Sequence, residues 1–265
     1  MSSRLAGAES AGAETEVWNC LGQVMDPELD EPVTDMGFIE TVDIHAEGQA
    51  VDIEFRLPTY WCSPNFAFLM AHDIRAEVGK LSWVRRVSVK LVDHCFGDRI
   101  NSGVNEDVEF SSVFAEYCDG ETLDAIRVKF LEKAFIRRQE SVLLGLLQQG
   151  LDSGAVVAMT LDVLDAIEFD DQGTVLQKHR YRSLLMSQGL ARDRADPAFV
   201  TWAGERLDAN ELADYLSRSR GVRINMEFNG ALCRGLKSVR YEEMSVGTPD
   251  PVPVPVRFMR DAVPH

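Results

Sequence analysis

The sequence has few cysteines and no CxxC pair. Five cysteines are scattered over 265 residues, at positions 20, 62, 95, 118 and 233. An odd number without regular spacing argues against a disulfide framework. Each cysteine is therefore interpreted as a buried small side chain, a metal or cluster ligand, or a reactive thiol.

Long apolar runs are also missing. No stretch reaches the roughly 18 to 20 uninterrupted apolar residues of a membrane helix, and the first sixteen residues are small, polar and acidic rather than those of a signal peptide. The hydrophobic content of 45% is ordinary for a chain that buries a core. These features predict a soluble cytoplasmic protein without a membrane partner, built as one large domain or two ordinary ones.

Basic side chains are scarce relative to acidic ones. The chain has 27 Lys and Arg against 43 Asp and Glu, and residues 1–114 hold 20 of the acidic but only 8 of the basic side chains. Such a negative field repels phosphate groups, so a nucleic-acid partner is not expected. A cation or a basic protein surface is the better electrostatic match for the first half of the chain.

Hydrophobic periodicity predicts a small α/β domain over residues 16–95, in the order α-β-β-α-β. After an apolar helical stripe that includes Cys20, a β-rich segment over 38–44 and an alternating segment over 51–57 predict a hairpin. A helical period from Pro64 is followed by a third strand. The expected fold is a mixed sheet packed by helices.

The predicted topology brings two loops together. The second strand, the helix and the third strand form a crossover unit, whose two strands run parallel. Parallel strands end at the same edge of a sheet, so the loop that holds Cys62 is expected to meet His94 and Cys95, which follow the third strand. These three residues are candidate ligands of one metal site, although His94 and Cys95 have only this shared edge in their favour.

The remaining segments are assigned from composition and period. We expect a flexible tail over 1–15, a linker or wrapping loop over 96–120, a mainly helical α+β domain over 121–245, and a Pro/Val-rich tail over 246–265. Within the helical part, one helix is predicted over 155–167.

A hairpin is predicted late in the second half. Residues 222–228 alternate like a strand, and Asn229-Gly230 is typical of a hairpin turn that leads to a second strand over 231–239.

Three short motifs occur in order in the first half. They are Asp26-Pro27-Glu28-Leu29, then Asp35-Met36-Gly37, and then Pro58-Thr59-Tyr60-Trp61-Cys62-Ser63-Pro64. This series resembles the PaaD/SufT-like family of metal-sulfur cluster assembly factors, and residues 16–94 cover essentially the whole of that domain. The Pro-Thr-Tyr of the cysteine loop is most similar to the branch that helps oxygenases mature.

The resemblance implies a non-enzymatic factor that transiently carries, or helps to insert, an iron-sulfur cluster or iron into a client metalloenzyme. Cys62 would be the functional cysteine, Asp26 and Glu28 the acidic members of the motif, and Thr59 the threonine of the cysteine loop. The family's loop usually has three residues between threonine and cysteine, whereas two intervene here. The resemblance does not extend to residues 115–265.

The position of Cys62 supports the same site independently. It lies just before a helix that begins near Pro64, where the helix dipole is expected to lower the thiol pKa and favour a thiolate, the form that binds iron. One cysteine does not fill a cluster's coordination, so further ligands are expected from His94 and Cys95, from a second copy of the chain in a homodimer, or from the client.

Other interpretations stay open. Cys62 could be a buried thiol among aromatic residues, and Asp26 with Glu28 an ordinary turn. The chain could also be a non-catalytic accessory protein that docks an oxygenase or another multicomponent enzyme through its helical half. A thiol-dependent enzyme would need a base, for which His94 is the positional candidate.

Overall fold

A computed structural model of the chain describes residues 2–45, 49–117, 122–241 and 256–258. The chain divides into two compact units. The first consists of Met1–Val128 together with Asn229–His265, and the second is Lys129–Phe228.

The first unit contains the sheet and the helices that cover it. Its elements are helices α1 (Ser2–Leu21), α2 (Pro64–Val78), α3 (Gly97–Asn105) and α4 (Phe110–Val113), and strands β1 (Met25–Asp26), β2 (Glu31–Pro32), β3 (Ile39–His45), β4 (Ala50–Arg56), β5 (Arg86–Val92) and β6 (Val256–Phe258). Helix α5 (Leu123–Gln148) and the long helix α9 (Leu212–Tyr241) contribute residues to both units.

The main sheet has the strand order β5-β4-β3-β6. Strands β3 and β4 form the predicted antiparallel hairpin, with Val42 opposite Ile53, and β4 pairs with β5 in parallel, with Ile53 opposite Val89. These three side chains are buried, so the alternation in the sequence marks the core face of the sheet. The α/β class, the mixed sheet and the parallel crossover are confirmed.

A two-stranded ribbon precedes the sheet. Helix α1 ends at Leu21, and Met25–Asp26 pairs antiparallel with Glu31–Pro32. The turn between them is closed by a hydrogen bond from the Asp30 N–H to the Asp26 carbonyl, 2.9 Å. This ribbon places the Asp26 side chain inside the protein.

Two segments of the first unit have more regular structure than their composition suggested. Residues 1–15, expected to be a flexible tail, belong to α1 from Ser2 onward, in a stretch rich in the strong helix formers Ala and Glu. The expected linker over 96–120 contains α3 and α4, because Ile100, Val104 and Phe110 are buried. Residues 118–121, with Cys118, lie outside the described part.

Helix α3 also protects the edge of the sheet. The Asn101 side chain bonds both backbone groups of Leu91 (2.7 and 3.1 Å), and Asn105 does the same for Val89 (2.9 and 2.8 Å). Strand β5 lies at one edge of the sheet in the described part of the chain, and these amides bond the backbone groups that a neighbouring strand would otherwise bond. The end of β5, next to His94, is therefore held firmly.

The second unit is helical. Between its portions of α5 and α9 lie α6 (Ser153–Val157), α7 (Leu161–Ala166) and α8 (Gln172–Ser187). The single helix predicted over 155–167 is split, because Thr160 forms an isolated bridge with Pro197 and the Leu161 N–H bonds the Asp196 carbonyl. The core of the unit is centred on Phe135, Tyr181 and Phe199.

The hairpin predicted over 222–239 is wrong. Those residues lie within α9, and Asn229-Gly230 is part of that helix rather than a turn. A short alternating run does not separate a strand from one side of a helix, and tertiary contacts decide between them.

Of the Pro/Val-rich tail, Val256–Phe258 forms β6 and pairs in parallel with β3, while the other residues lie outside the described part.

Among the residues that the structure describes, no helix is both long and apolar enough to cross a membrane.

Candidate functional site

Cys62 lies in the loop that joins β4 to α2. Its side chain is half-buried, whereas Trp61 is 73% exposed and Tyr60 is 46% exposed. Helix α2 begins at Pro64, where the missing proline N–H costs nothing, and Ser63 is its N-cap residue. The cysteine therefore precedes the helix by two residues, as the sequence predicted, beside two exposed aromatic side chains.

His94 holds the Cys62 loop in place. Its Nε2 lies 2.8 Å from the Cys62 carbonyl oxygen, and its Nδ1 accepts a hydrogen bond from the Phe96 N–H at 3.2 Å. In addition, the Cys95 N–H donates to the Tyr60 carbonyl at 2.9 Å. The structure thus brings the two loops to one edge of the sheet, as the parallel topology predicted.

The hydrogen bonds of His94 determine which of its two ring nitrogens carries the proton. Because Nδ1 accepts from a backbone N–H, the ring proton resides on Nε2 and is donated to the Cys62 carbonyl. Burial lowers the pKa of His94, which favours this neutral form. Both ring nitrogens are engaged by the backbone, so in this arrangement His94 orients the loop and has no free lone pair for a metal ion.

The Asp26-Pro27-Glu28-Leu29 motif forms a turn around a buried carboxylate. Asp26 is 7% exposed, and its Oδ1 accepts from the backbone N–H groups of Glu28 and Leu29, both at 2.9 Å. Burial raises the pKa of Asp26 to about 6, although these two bonds act in the opposite direction. The motif therefore places a carboxyl group that titrates near neutrality in the interior.

The pKa of the Cys62 thiol is raised, whereas the sequence predicted that it would be lowered. Burial raises its pKa to about 12, assisted by the Asp26 carboxylate and by Cys233, while a hydrogen bond from the Ser63 backbone lowers it. The expected lowering by the helix dipole is wrong, because desolvation and like charges outweigh the helix terminus. Cys62 is consequently a neutral thiol at physiological pH when no metal is bound.

Cys233 also lies near Asp26 and Glu28, and the sequence did not reveal this residue as part of the site. Burial, then the carboxylates of Asp26 and Glu28, raise its pKa to about 11. The Glu28 side chain also accepts from Asn229 Nδ2 at 3.2 Å. The helical spacing of Asn229, Cys233 and Lys237 was the available signal, but the mistaken hairpin prediction placed Asn229 in a turn and Cys233 and Lys237 on a strand.

The other candidates are more loosely placed. Thr59 is half-buried in the same loop as Cys62, the Cys95 side chain is exposed, and Cys20 is half-buried on α1. Within residues 2–45, 49–117, 122–241 and 256–258, no group of three or more His, Cys, Asp or Glu side chains is arranged to hold a metal ion. Cys62, His94 and Cys95 thus share an edge without forming a ready-made three-ligand site.

Comparison with known families matches residues 14–91 to the model described as iron-sulfur cluster assembly protein. The match begins within α1 and ends within β5. It includes Asp26, Glu28, Thr59 and Cys62, and it stops before His94. No curated protein sequence gave a significant match. Residues 14–91, the part of the chain that carries the Cys62 loop, are therefore similar to the iron-sulfur cluster assembly protein family, and this match is consistent with a PaaD/SufT-like domain.

Proposed function

We propose that the chain is a non-enzymatic iron-sulfur cluster assembly or delivery factor that holds iron or a cluster on Cys62 on its way to a client metalloenzyme. The observation that carries this proposal is the placement of Cys62 in a firmly held loop at the sheet edge, inside the family domain and beside exposed aromatic residues. The cargo is a substrate of the protein, received and then passed on.

The raised pKa of Cys62 suits temporary binding. Metal binding must expel the thiol proton, and a pKa of about 12 makes that step costly at neutral pH, at about 1.4 kcal/mol for each pH unit below the pKa. The apparent affinity is thereby reduced and increases as the pH rises. A carrier that must release its cargo benefits from this reduction.

The surface around Cys62 favours contact with another protein. Trp61 and Tyr60 are exposed beside the cysteine, and aromatic side chains of this kind are enriched at protein interfaces. The acidic surplus of residues 1–114 favours a client with a basic surface. The similarity of the Pro-Thr-Tyr loop to the oxygenase branch leads us to propose an oxygenase component as the client class.

Anaerobic reconstitution tests this function. The purified chain is supplied with ferrous iron and sulfide, and the visible charge-transfer absorption is recorded after desalting. We expect absorption that Cys62→Ala abolishes and that the matched variant Cys20→Ala retains, because Cys20 lies on α1 outside the Cys62 loop. A colourless, iron-free wild-type protein would refute carriage by Cys62.

A second candidate is an accessory protein that docks its partner without carrying metal. Its support is the second unit, which has its own hydrophobic core and lies outside the family match. Maturation of an oxygenase component in the presence of Cys62→Ala distinguishes the two functions. Full maturation would favour the accessory role, whereas loss of maturation with an intact fold supports delivery.

A further inference from the structure

We propose that Cys233 is the second thiolate ligand of the cargo at Cys62, so that one chain supplies two sulfur ligands from opposite ends of its sequence. The inference rests on the proposed function, because it concerns the same cargo. It goes beyond the family domain, since Cys233 lies far outside residues 14–91.

Cys233 is fixed against the β1–β2 ribbon by contacts on both sides of it. One turn earlier, Asn229 Nδ2 donates to Glu28 Oε1 at 3.2 Å. The following residue, Arg234, donates from Nη1 to Glu31 Oε2 at 2.5 Å and lies 3.3 Å from Met36 Sδ. Residues three or four positions apart share one side of a helix, so the side of α9 that carries Cys233 faces the ribbon.

A third contact lies one turn later on the same side of α9. Lys237 Nζ donates to the Met36 carbonyl at 3.4 Å and to the Gly37 carbonyl. The helix is thus anchored before and after Cys233. The position of the helix beside the Asp26 turn is set by the side chains of three residues, Asn229, Arg234 and Lys237, rather than by one.

Asp26 connects the two thiols. Its buried carboxylate raises the pKa of Cys62 and of Cys233, and Cys233 also raises the pKa of Cys62. The carboxylate itself is engaged by two backbone N–H groups, and that of Glu28 by Asn229. The thiols are therefore the soft donors of this cluster, as iron and related metals require.

The chemistry of binding balances for a divalent ion. Two neutral thiols each lose a proton to solvent, and the two thiolates offset the two positive charges of the metal. With two ligands from the chain, the remaining coordination positions are filled by sulfide, solvent or the client. Such an open site allows a client to take over the metal by ligand exchange.

Cadmium binding to the full chain tests the inference, because thiolate-to-metal absorption increases with the number of bound sulfurs. Under anaerobic conditions we expect one Cd²⁺ per chain, with two protons released. Cys233→Ala and Cys62→Ala should each lose about half of the absorption and one of the two protons, whereas Cys20→Ala should keep both. Unchanged absorption and proton release in Cys233→Ala would overturn the inference.

The outcomes separate this inference from the proposed function. Iron-sulfur absorption that depends on Cys62 but not on Cys233 would retain the function and reject the second ligand. Cadmium bound through both thiols in a chain that takes up no iron and sulfide would retain the thiol pair and reject the function. One Cd²⁺ per two chains, bound only through Cys62, would indicate a shared site between copies and overturn the role of Cys233.

A measurement on the wild-type chain covers the case in which Cys233→Ala does not fold. A short reagent that bridges two thiols should link Cys62 to Cys233 within one chain, identified by mass spectrometry of the peptides. Added Cd²⁺ should suppress this link at least severalfold. Absence of the link, with both thiols individually alkylated, would refute the pairing.

Discussion

The two units treat their buried polar groups differently. In the second unit, Gln139 donates to the Tyr181 hydroxyl and to the Val200 carbonyl, both at 2.7 Å, and Tyr181 donates to the Ala198 carbonyl at 2.8 Å. Buried Lys178 donates to the Ile167 carbonyl at 2.6 Å. These side chains satisfy backbone groups and tie the helices together.

In the first unit, the buried and half-buried polar groups near Cys62 are titratable, and their pKa values depart from the ordinary ones. The pKa of Asp26 is about 6, the pKa of Cys62 is raised to about 12 and that of Cys233 to about 11, and the pKa of His94 is lowered, in each case chiefly by burial. Burial also raises the pKa of Tyr181 and of Glu140 in the second unit, but there the hydroxyl donates to the Ala198 carbonyl and the carboxylate is paired with Arg223. Clusters of perturbed thiol, carboxyl and imidazole groups are characteristic of functional sites. The comparison assigns the chemistry to the first unit and a structural role to the core of the second.

The largest expected effect is a loss of stability from the core of the second unit. Phe135→Ala removes a fully buried ring and is expected to lower the free energy of unfolding by about 3–5 kcal/mol, measured by urea denaturation. Phe228→Ala is the matched control, since Phe228 is 67% exposed, and should change it by less than about 0.5 kcal/mol. Under native conditions, without urea, the alkylation rate of Cys62 should stay unchanged in both variants. A large change would contradict the assignment of the chemistry to the first unit and of a structural role to the second.

The next effect is a gain of stability at the site. In the folded state the pKa of Asp26 is about 6, above the ordinary value of about 3.9, so the protein loses stability as the pH rises through this window. Asp26→Asn keeps the acceptor for Glu28 and Leu29 without the charge. It should raise the free energy of unfolding by about 2–3 kcal/mol at pH 7, and the gain should vanish near pH 4.

Urea denaturation at both pH values measures this gain. Asp35→Asn is the control, because Asp35 is exposed, and it should have little effect at either pH. A loss of stability in Asp26→Asn at pH 7 would mean that the buried carboxylate stabilises the fold, contrary to the comparison.

The smallest effect concerns the positioning of Cys62. Because burial lowers the pKa of His94, its contribution to stability is present above the ordinary value of about 6.5 and is lost as the pH falls below it. His94→Gln should cost about 1 kcal/mol at pH 7, and this difference from the wild type should shrink toward pH 5. Because His94→Gln is compared with the wild type at the same pH, the opposite effect of Asp26 on the pH dependence of stability is present in both proteins and cancels.

Alkylation provides a second measure of the same change. Without the bond to its carbonyl, Cys62 should react severalfold faster with iodoacetamide in His94→Gln than in the wild type. His179→Gln, at an exposed position on α8, should react like the wild type. Equal rates in all three proteins would show that His94 does not hold the loop.

Much of the first unit could be predicted because its pattern is local. Alternating residues gave the β3–β4 hairpin, the helical period after Pro64 gave α2, and the crossover rule gave the meeting of Cys62 with His94. The α3 and α4 region was missed because its polar residues, such as Asn101, serve the sheet edge rather than a loop. Composition does not reveal such a role.

The site could be predicted only in part, since two of its properties depend on distant contacts. Cys233 reaches the Asp26 turn through α9, and the helical spacing of Asn229, Cys233 and Lys237 indicates a shared side of a helix but not the segment that this side contacts. The thiol pKa of Cys62 was predicted from the helix start alone, whereas burial and the neighbouring acidic groups determine it. Both errors come from reasoning about a residue's neighbours in sequence instead of its neighbours in space.

The contacts of α9 with the β1–β2 ribbon join residues about 200 positions apart, such as Asn229 and Glu28. During synthesis the ribbon, the β3–β4 hairpin and the Cys62 loop leave the ribosome long before α9 exists, and contacts of such long range form late in folding. In a nascent chain the Cys62 loop is therefore present before the helix that contacts the ribbon. The contacts between the ribbon and α9 therefore form only after translation has passed Lys237.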